Sequence, residues 1–326
     1  MRVVMMGTGT FAQPTFEALL TRPGLVVALI TQPDRASGAQ RSSTRLAGQG
    51  MKELASAANV PVFQPESINS PDGLELLRNL KADLLVVAAY GQILSRDVLA
   101  AATLGGINVH ASLLPKYRGA APIAWAIYHG ETRTGVTIIR MSAGLDAGDI
   151  LSQEAVDVLP DETAGELETR LAPIGAKLAL ETVERLQLGP VAGTPQDQSQ
   201  VTKAPKLKKE DGLIDWTRSA EQICRHVRAM QPWPTAYTFL HRAAKLPVRI
   251  MIQKSKAVAR EGPPASAGAL TAFPKTMDRL FVEISDSREA VEVLRLQPSG
   301  KKSMTAAEFL RGHPVQPGDR FGPESM

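Results

Sequence analysis

Five short, almost continuous apolar runs between residues 2 and 141 limit what this chain can fold into. They read RVVMMG from Arg2, LVVALIT from Leu25, ADLLVVAAY from Ala82, GGINVH from Gly105 and GVTIIRM from Gly135. Segments with helical spacing, PTFEALLTR, GMKELASAA and PDGLELLRNL, separate the first three. A strand that is apolar on both sides must be covered on both sides, and intervening helices supply that cover. The pattern predicts an α/β fold with a Rossmann-like, doubly wound, mainly parallel sheet. A longer helix is expected from Thr163 to Leu186, opened by a capping box of Thr163 with Glu166. It places Leu167, Leu171, Ile174 and Leu178 on one face and should kink or divide at Pro173.

At Gly189 the character changes to GPVAGTPQDQSQVTKAPKLKKE, rich in Pro, Gly, Gln and Lys and without apolar periodicity. This predicts a catalytic domain over residues 1–188, a linker over 189–208 and a second domain over 209–326. In the second domain a helix is expected from Ser219, boxed with Gln222, to Met230. The runs TAYTFL, LPVRIMI, RLFVEIS and AVEVLRLQ then predict a small OB-like β-barrel.

Charge is divided unevenly. Residues 1–195 carry 16 Lys and Arg against 19 Asp and Glu, leaving 21 against 14 in the remainder. A basic excess confined to the C-terminal part is what contact with a polyanion requires, although a solvated basic surface would read the same. Cys224 is the sole cysteine, which excludes intrachain disulfides and Cys-based zinc sites, and its helical position predicts a buried thiol. The histidines at 110, 129, 226, 241 and 313 have no metal-ligand spacing, so no metal is expected. There is no secretory signal and no run of roughly 18 apolar residues, so a cytoplasmic protein without a membrane segment is expected.

The chemistry concentrates in two places. Asn108 and His110 lie two apart at the end of an apolar strand and so share a face, at the end where open α/β sheets bind ligands. An amide and an imidazole aimed together can donate to an oxyanion as an acyl group is attacked. The polar, Gly- and Pro-rich segment SLLPKYRGAAP follows them directly and has no packing periodicity. The second place is MSAGLDAGDI, where Gly144 and Gly148 flank Asp146. Spacing alone does not bring Asp146 to His110, and a histidine at a strand end is often structural. An Asn, His and Asp set nevertheless suits acyl transfer to an amine without a Ser or Cys nucleophile. Gly7, Gly9 and Ala12 fit the dinucleotide pattern G-x-G-x-x-A, but the second strand ends in Thr31 and Gln32 where that site needs an acid.

NVHASLLPKYRGAAPI together with GVTIIRMSAGLDAGDIL resembles the formyltransferases that use 10-formyltetrahydrofolate. QPDR, GLIDWTRSAEQICRHVRAMQPWPTAYT and the basic C-terminal domain are similar to the methionyl-tRNA formyltransferase branch, with the likeness running to about Leu310. The resemblance implies Asn108, His110 and Asp146 as catalytic residues. It implies Ser112, Leu113, Leu114 and Pro115 as part of the folate site, with Leu85–Gln92 near the pterin. The partner it implies is initiator methionyl-tRNA, met by a monomer for translation initiation. Arg41 and Arg45 in a Gly- and Ser-rich loop over 33–55, with Lys206, Lys208 and Lys209, would contact that tRNA. Trp216, Trp233 and Tyr237 are expected to pack rather than to stack on bases. The rivals are a formyltransferase for a small amine (glycinamide ribonucleotide or an amino-sugar nucleotide), a dinucleotide-dependent oxidoreductase, and a non-catalytic RNA-binding protein.

Overall fold

The apolar run that opens the chain forms a strand buried along its whole length, Val3–Gly7 (β1), and the rest of the first sheet is laid out around it. The computed structural model describes all residues except 35–43, 261–265, 272–277, 286–287 and 326, and the side chains of 44–49. The chain divides into two compact units. One comprises Met1–Trp125, Thr132–Leu159 and Gly165–Lys206, and the other Ala126–Glu131, Pro160–Ala164 and Leu207–Met326.

In the first unit β1 is followed by α1 (Gln13–Leu20), β2 (Val26–Ile30), α2 (Thr44–Ala57), β3 (Val62–Phe63) and α3 (Pro71–Leu80). Then come β4 (Leu84–Ala88), α4 (Arg96–Ala100), β5 (Gly106–His110), β6 (Arg118–Gly119), α5 (Pro122–His129, of which Ala126 onward belongs to the other unit), β7 (Arg133–Arg140) and β8 (Ile150–Asp157). A long helix, α6 (Ala164–Leu188), and the short strand β9 (Lys203–Ala204) complete it. Among the described residues seven strands make one sheet in the order β3-β2-β1-β4-β5-β7-β8. The first five run parallel, while β7 is antiparallel to β5 and β8 to β7. The chain reverses its direction of winding between β1 and β4, so the loops after β1, β4 and β5 open together at one end of the sheet.

Gly7 serves the turn from β1 to α1 by close packing. A Cβ there would lie 2.8 Å from the Ala12 methyl and 3.0 Å from the Ala88 carbonyl. The end of β2 is already spoken for by protein groups. Gln32 N donates to Thr8 Oγ1 at 3.2 Å, and Gln32 Nε2 to the Tyr90 carbonyl at 2.9 Å. No acid stands where a dinucleotide ribose would need one.

Three expectations change. The helix α6 runs unbroken past Pro173, which sits on its exposed side, where the missing bond falls at the solvent face. The loop expected over 33–55 gives way to helix at Thr44; Arg41 lies outside the described residues, as does the side chain of Arg45. The segment expected as a linker packs on the first unit as far as Lys206. Thr194 exchanges two backbone bonds with Ile150, and β9 pairs in parallel with β6. These contacts are backbone and amide bonds, which leave no apolar periodicity to read.

The second unit is built on α7 (Ala220–Ala229), whose capping box joins Ser219 and Gln222 as expected. It continues with β10 (Tyr237–His241), β11 (Val248–Ala259), β12 (Leu270–Thr271), β13 (Leu280–Glu283), β14 (Glu289–Pro298), β15 (Met304–Thr305), α8 (Ala306–Gly312) and β16 (Arg320–Gly322). The strands pair antiparallel in the order β12-β13-β14-β11-β10-β16, with β15 on β14. A bridge between Ala269 and Arg320 brings the two edges together, so the barrel is nearly closed. Trp216 is buried, stacks on Phe321 and donates its indole N–H to Thr238 Oγ1 at 2.9 Å. The Cys224 thiol is buried and pushed up by desolvation. No helix among the described residues is long and apolar enough to cross a membrane.

Candidate active site

The strand β5 is the last of the parallel strands and lies beside the first antiparallel one, opposite Val87 of β4 and Ile139 of β7 at Asn108. Alternation along β5 sends Asn108 and His110 to the same side. β7 runs antiparallel to β5 and ends opposite Ile107, and the turn Met141–Asp149 after it folds back beside Asn108 and His110, which the spacing in sequence could not show. Asn108 Nδ2 donates to Asp146 Oδ1 at 3.2 Å, across 38 residues of chain. His110 Nδ1 stands 3.5 Å from Asp146 Oδ2, and the Gly119 N–H donates to that same oxygen at 2.9 Å. The Asp146 side chain is 12% exposed and that of His110 5%, so the cluster is sheltered but reachable through the carboxylate.

His110 Nε2 sits 2.9 Å from the Tyr117 carbonyl oxygen. A carbonyl can only accept, so Nε2 carries a proton and the ring is held edge-on to the loop. The contact of Nδ1 with the carboxylate is longer than a good hydrogen bond. With the ring proton on Nε2, Nδ1 becomes a donor only when the imidazole is protonated, and it can then join the second amide hydrogen of Asn108 in facing an oxygen placed between them.

Asp146 itself has φ +47°, in the left-handed region, which costs an ordinary residue about 1–2 kcal/mol. The surroundings hold it there. Gln196 Nε2 donates to the backbone carbonyls of Asp146 and Gly148, each at 2.8 Å. Arg118 in turn grips Gln196 Oε1 through Nε at 3.0 Å and Nη2 at 2.8 Å.

The loop after β5 is fixed by one hydroxyl. Thr137 Oγ1 donates to the Ser112 carbonyl at 2.6 Å and accepts from Leu114 N at 3.1 Å and Gln153 Nε2 at 2.8 Å. Ser112 is fully buried, with its own hydroxyl given to the Lys116 carbonyl at 2.7 Å, and Leu114 is buried too. Leu113 and Pro115 keep part of their surface exposed. Within Leu85–Gln92, the residues Leu85–Ala88 are buried strand. In the turn after it Ala89 (φ +46°) and Gly91 (φ +85°) are exposed. Desolvation pushes the neighbouring Tyr90 phenol up to about 12, so it stays neutral in its apolar cluster.

A family model described as formyl transferase matches residues 1–183, and one described as formyl transferase, C-terminal domain, matches residues 206–314. The methionyl-tRNA formyltransferase of Solibacter usitatus is 42% identical over 322 residues, covering 99% of each chain. That of Desulfotalea psychrophila is 42% identical over 312 residues, covering 96% of this chain and 93% of its own. The chain belongs to the methionyl-tRNA formyltransferase family. Solved structures agree on the fold. The N-formyltransferase from Helicobacter canadensis, in complex with folinic acid and dTDP-3-aminofucose, superposes with a TM-score of 0.64 at 17% identity. That likeness covers 89% of this chain and 98% of the other. HypX from Aquifex aeolicus in complex with tetrahydrofolic acid gives 0.58 at 17% identity, over 95% of this chain and 46% of that one.

In this formyltransferase Lys206, Lys208 and Lys209 are all exposed. Sequence reasoning passed over Thr137, Gln153, Arg118 and Gln196, which hold the site without belonging to a recognisable cluster. The one available signal was Arg118 itself, a charged residue in a Gly- and Pro-rich segment directly after His110.

Proposed function

We propose that this chain transfers the formyl group of 10-formyltetrahydrofolate to the α-amino group of methionine on initiator methionyl-tRNA. It does so as a monomer in the cytoplasm, ahead of translation initiation. The observation that carries this reading is the identity of about two residues in five with methionyl-tRNA formyltransferases across 99% of the chain, both domains included. The N-formyltransferase solved with dTDP-3-aminofucose is alike at only 17% identity, which speaks for the fold and not for a small acceptor.

Asp146 takes the proton that the amine loses as its nitrogen bonds to the formyl carbon. Asn108 and protonated His110 donate hydrogen bonds to the formyl oxygen as it gains negative charge in the tetrahedral intermediate. The Asp146–His110 pair then delivers a proton to the folate nitrogen as its bond to the formyl carbon breaks, leaving tetrahydrofolate. Leu113, Pro115 and the backbone of residues 89–92 hold the folate ring. Ser112 and Leu114 shape that surface from beneath.

Lys206, Lys208 and Lys209 meet phosphates of the tRNA. Three such contacts predict that log(kcat/KM) falls against log salt with a slope of about −2 to −3. Steady-state formylation of charged tRNA between low and moderate salt measures it, and a slope near zero would remove the lysines from the tRNA surface.

A further inference from the structure

We infer that Gln196 is a positioning residue for formyl transfer, holding the Asp146 turn in the only orientation that presents its carboxylate to Asn108 and His110. The inference rests on the reading that Asp146 is catalytic. A glutamine amide offers two N–H donors and two acceptor positions, and here all four are used. Both donors go to backbone carbonyls, those of Asp146 and Gly148, and both acceptor positions face the Arg118 guanidinium. A guanidinium cannot accept and a carbonyl cannot donate, so the amide has one possible orientation. Gln196 is buried, so water is poorly placed to replace it.

The two carbonyls it binds straddle the residue pair that follows Asp146, and Asp146 is the residue in the left-handed conformation. Without the clamp, that backbone can relax toward an ordinary region. The relaxation would swing the carboxylate away from Asn108 Nδ2 and the Gly119 N–H. Gly119 is fixed from the same stretch of chain, because β6 pairs with β9 and the Tyr117 N–H donates to Thr202 Oγ1 at 2.8 Å. Residues 196–204 thus hold the carboxylate's backbone at one end and its N–H partner at the other. The stretch that leads from the first unit toward the second is in this way part of the catalytic frame.

Gln196→Met keeps the length of the side chain and removes every bond, whereas Gln196→Glu keeps the Arg118 contact and removes both donors. Each is expected to lower kcat by about 10- to 100-fold, the effect of a displacement of about 1 Å, with KM for folate and tRNA changed by less than about threefold. Combined with Asp146→Asn, Gln196→Met should reduce the remaining rate by less than about twofold, since its effect passes through the carboxylate. Near-normal kcat in whichever of the two single variants folds, judged by circular dichroism and Tm, would overturn the inference. So would an undiminished effect of Gln196→Met in the Asp146→Asn background, which would place its action elsewhere. If Asp146→Asn alone keeps full turnover, the catalytic reading itself falls and this inference falls with it, an outcome visible from that single variant.

Discussion

Asp146→Ala is expected to lower kcat for formyl transfer by about 10³- to 10⁴-fold, the upper range for loss of a general base. His110→Ala is expected to lower it by about 10²- to 10³-fold, the range for loss of an oxyanion donor. The larger effect belongs to Asp146 because three groups converge on its carboxylate. Asn108, His110 and the Gly119 N–H all face it, so its loss removes the base and frees the donors at once. His110 keeps its carbonyl anchor at Tyr117 in the Asp146 variant, and so the ring stays near its place. Neither side chain touches the exposed lysines, so Kd for charged tRNA should change by less than about threefold, as for a group acting only in the transition state. Single-turnover transfer with a parallel filter-binding measurement separates the two quantities. Near-normal turnover in either variant would overturn the assigned roles.

Gly148→Ala is expected to cost about 2–3 kcal/mol of stability and at least about 100-fold in kcat. A Cβ at Gly148 would lie 1.7 Å from the Arg140 carbonyl oxygen and 2.9 Å from its carbon. Both are backbone atoms of β7, held in register by the bond from Arg140 N to the Asp149 carbonyl at 2.9 Å, so the turn must move. The Gly148 carbonyl also accepts from Gln196, and its displacement pulls on the same clamp that orients Asp146. Denaturant melts and kcat measured on one preparation check both effects. A variant with wild-type stability and turnover would show that the turn tolerates displacement and does not fix the carboxylate.

The parts of the fold that could be read from the sequence are those written in apolar periodicity. β1, β2, β4 and β5 fall within the continuous apolar runs, and α7 begins at its capping box. The same language is silent about direction. GVTIIRM reads equally well as a parallel or an antiparallel strand, and nothing in it shows that the turn after β7, which starts opposite Ile107, folds back to bring Asp146 to His110. β8 mixes buried, intermediate and exposed positions and gives a weak signal, and β3 is two residues long. Asn108 and His110 were legible because a strand end fixes which side chains share a face. Gln196 was not, because a polar residue in a Pro- and Gln-rich stretch looks like solvated linker until its amide is seen between two carbonyls and a guanidinium. Ser112 shows the converse: its hydroxyl looks available for a ligand in the sequence, and in the fold it is turned to the Lys116 carbonyl.

Formyl transfer from 10-formyltetrahydrofolate, followed with the purified chain and competing acceptors, decides which amine is the substrate. Methionine-charged initiator tRNA, glycinamide ribonucleotide and an amino-sugar nucleotide are offered in separate reactions. Formylmethionyl-tRNA and stoichiometric tetrahydrofolate are expected from the first and no product from the other two. Transfer to either small amine with none to the charged tRNA would contradict the proposed function.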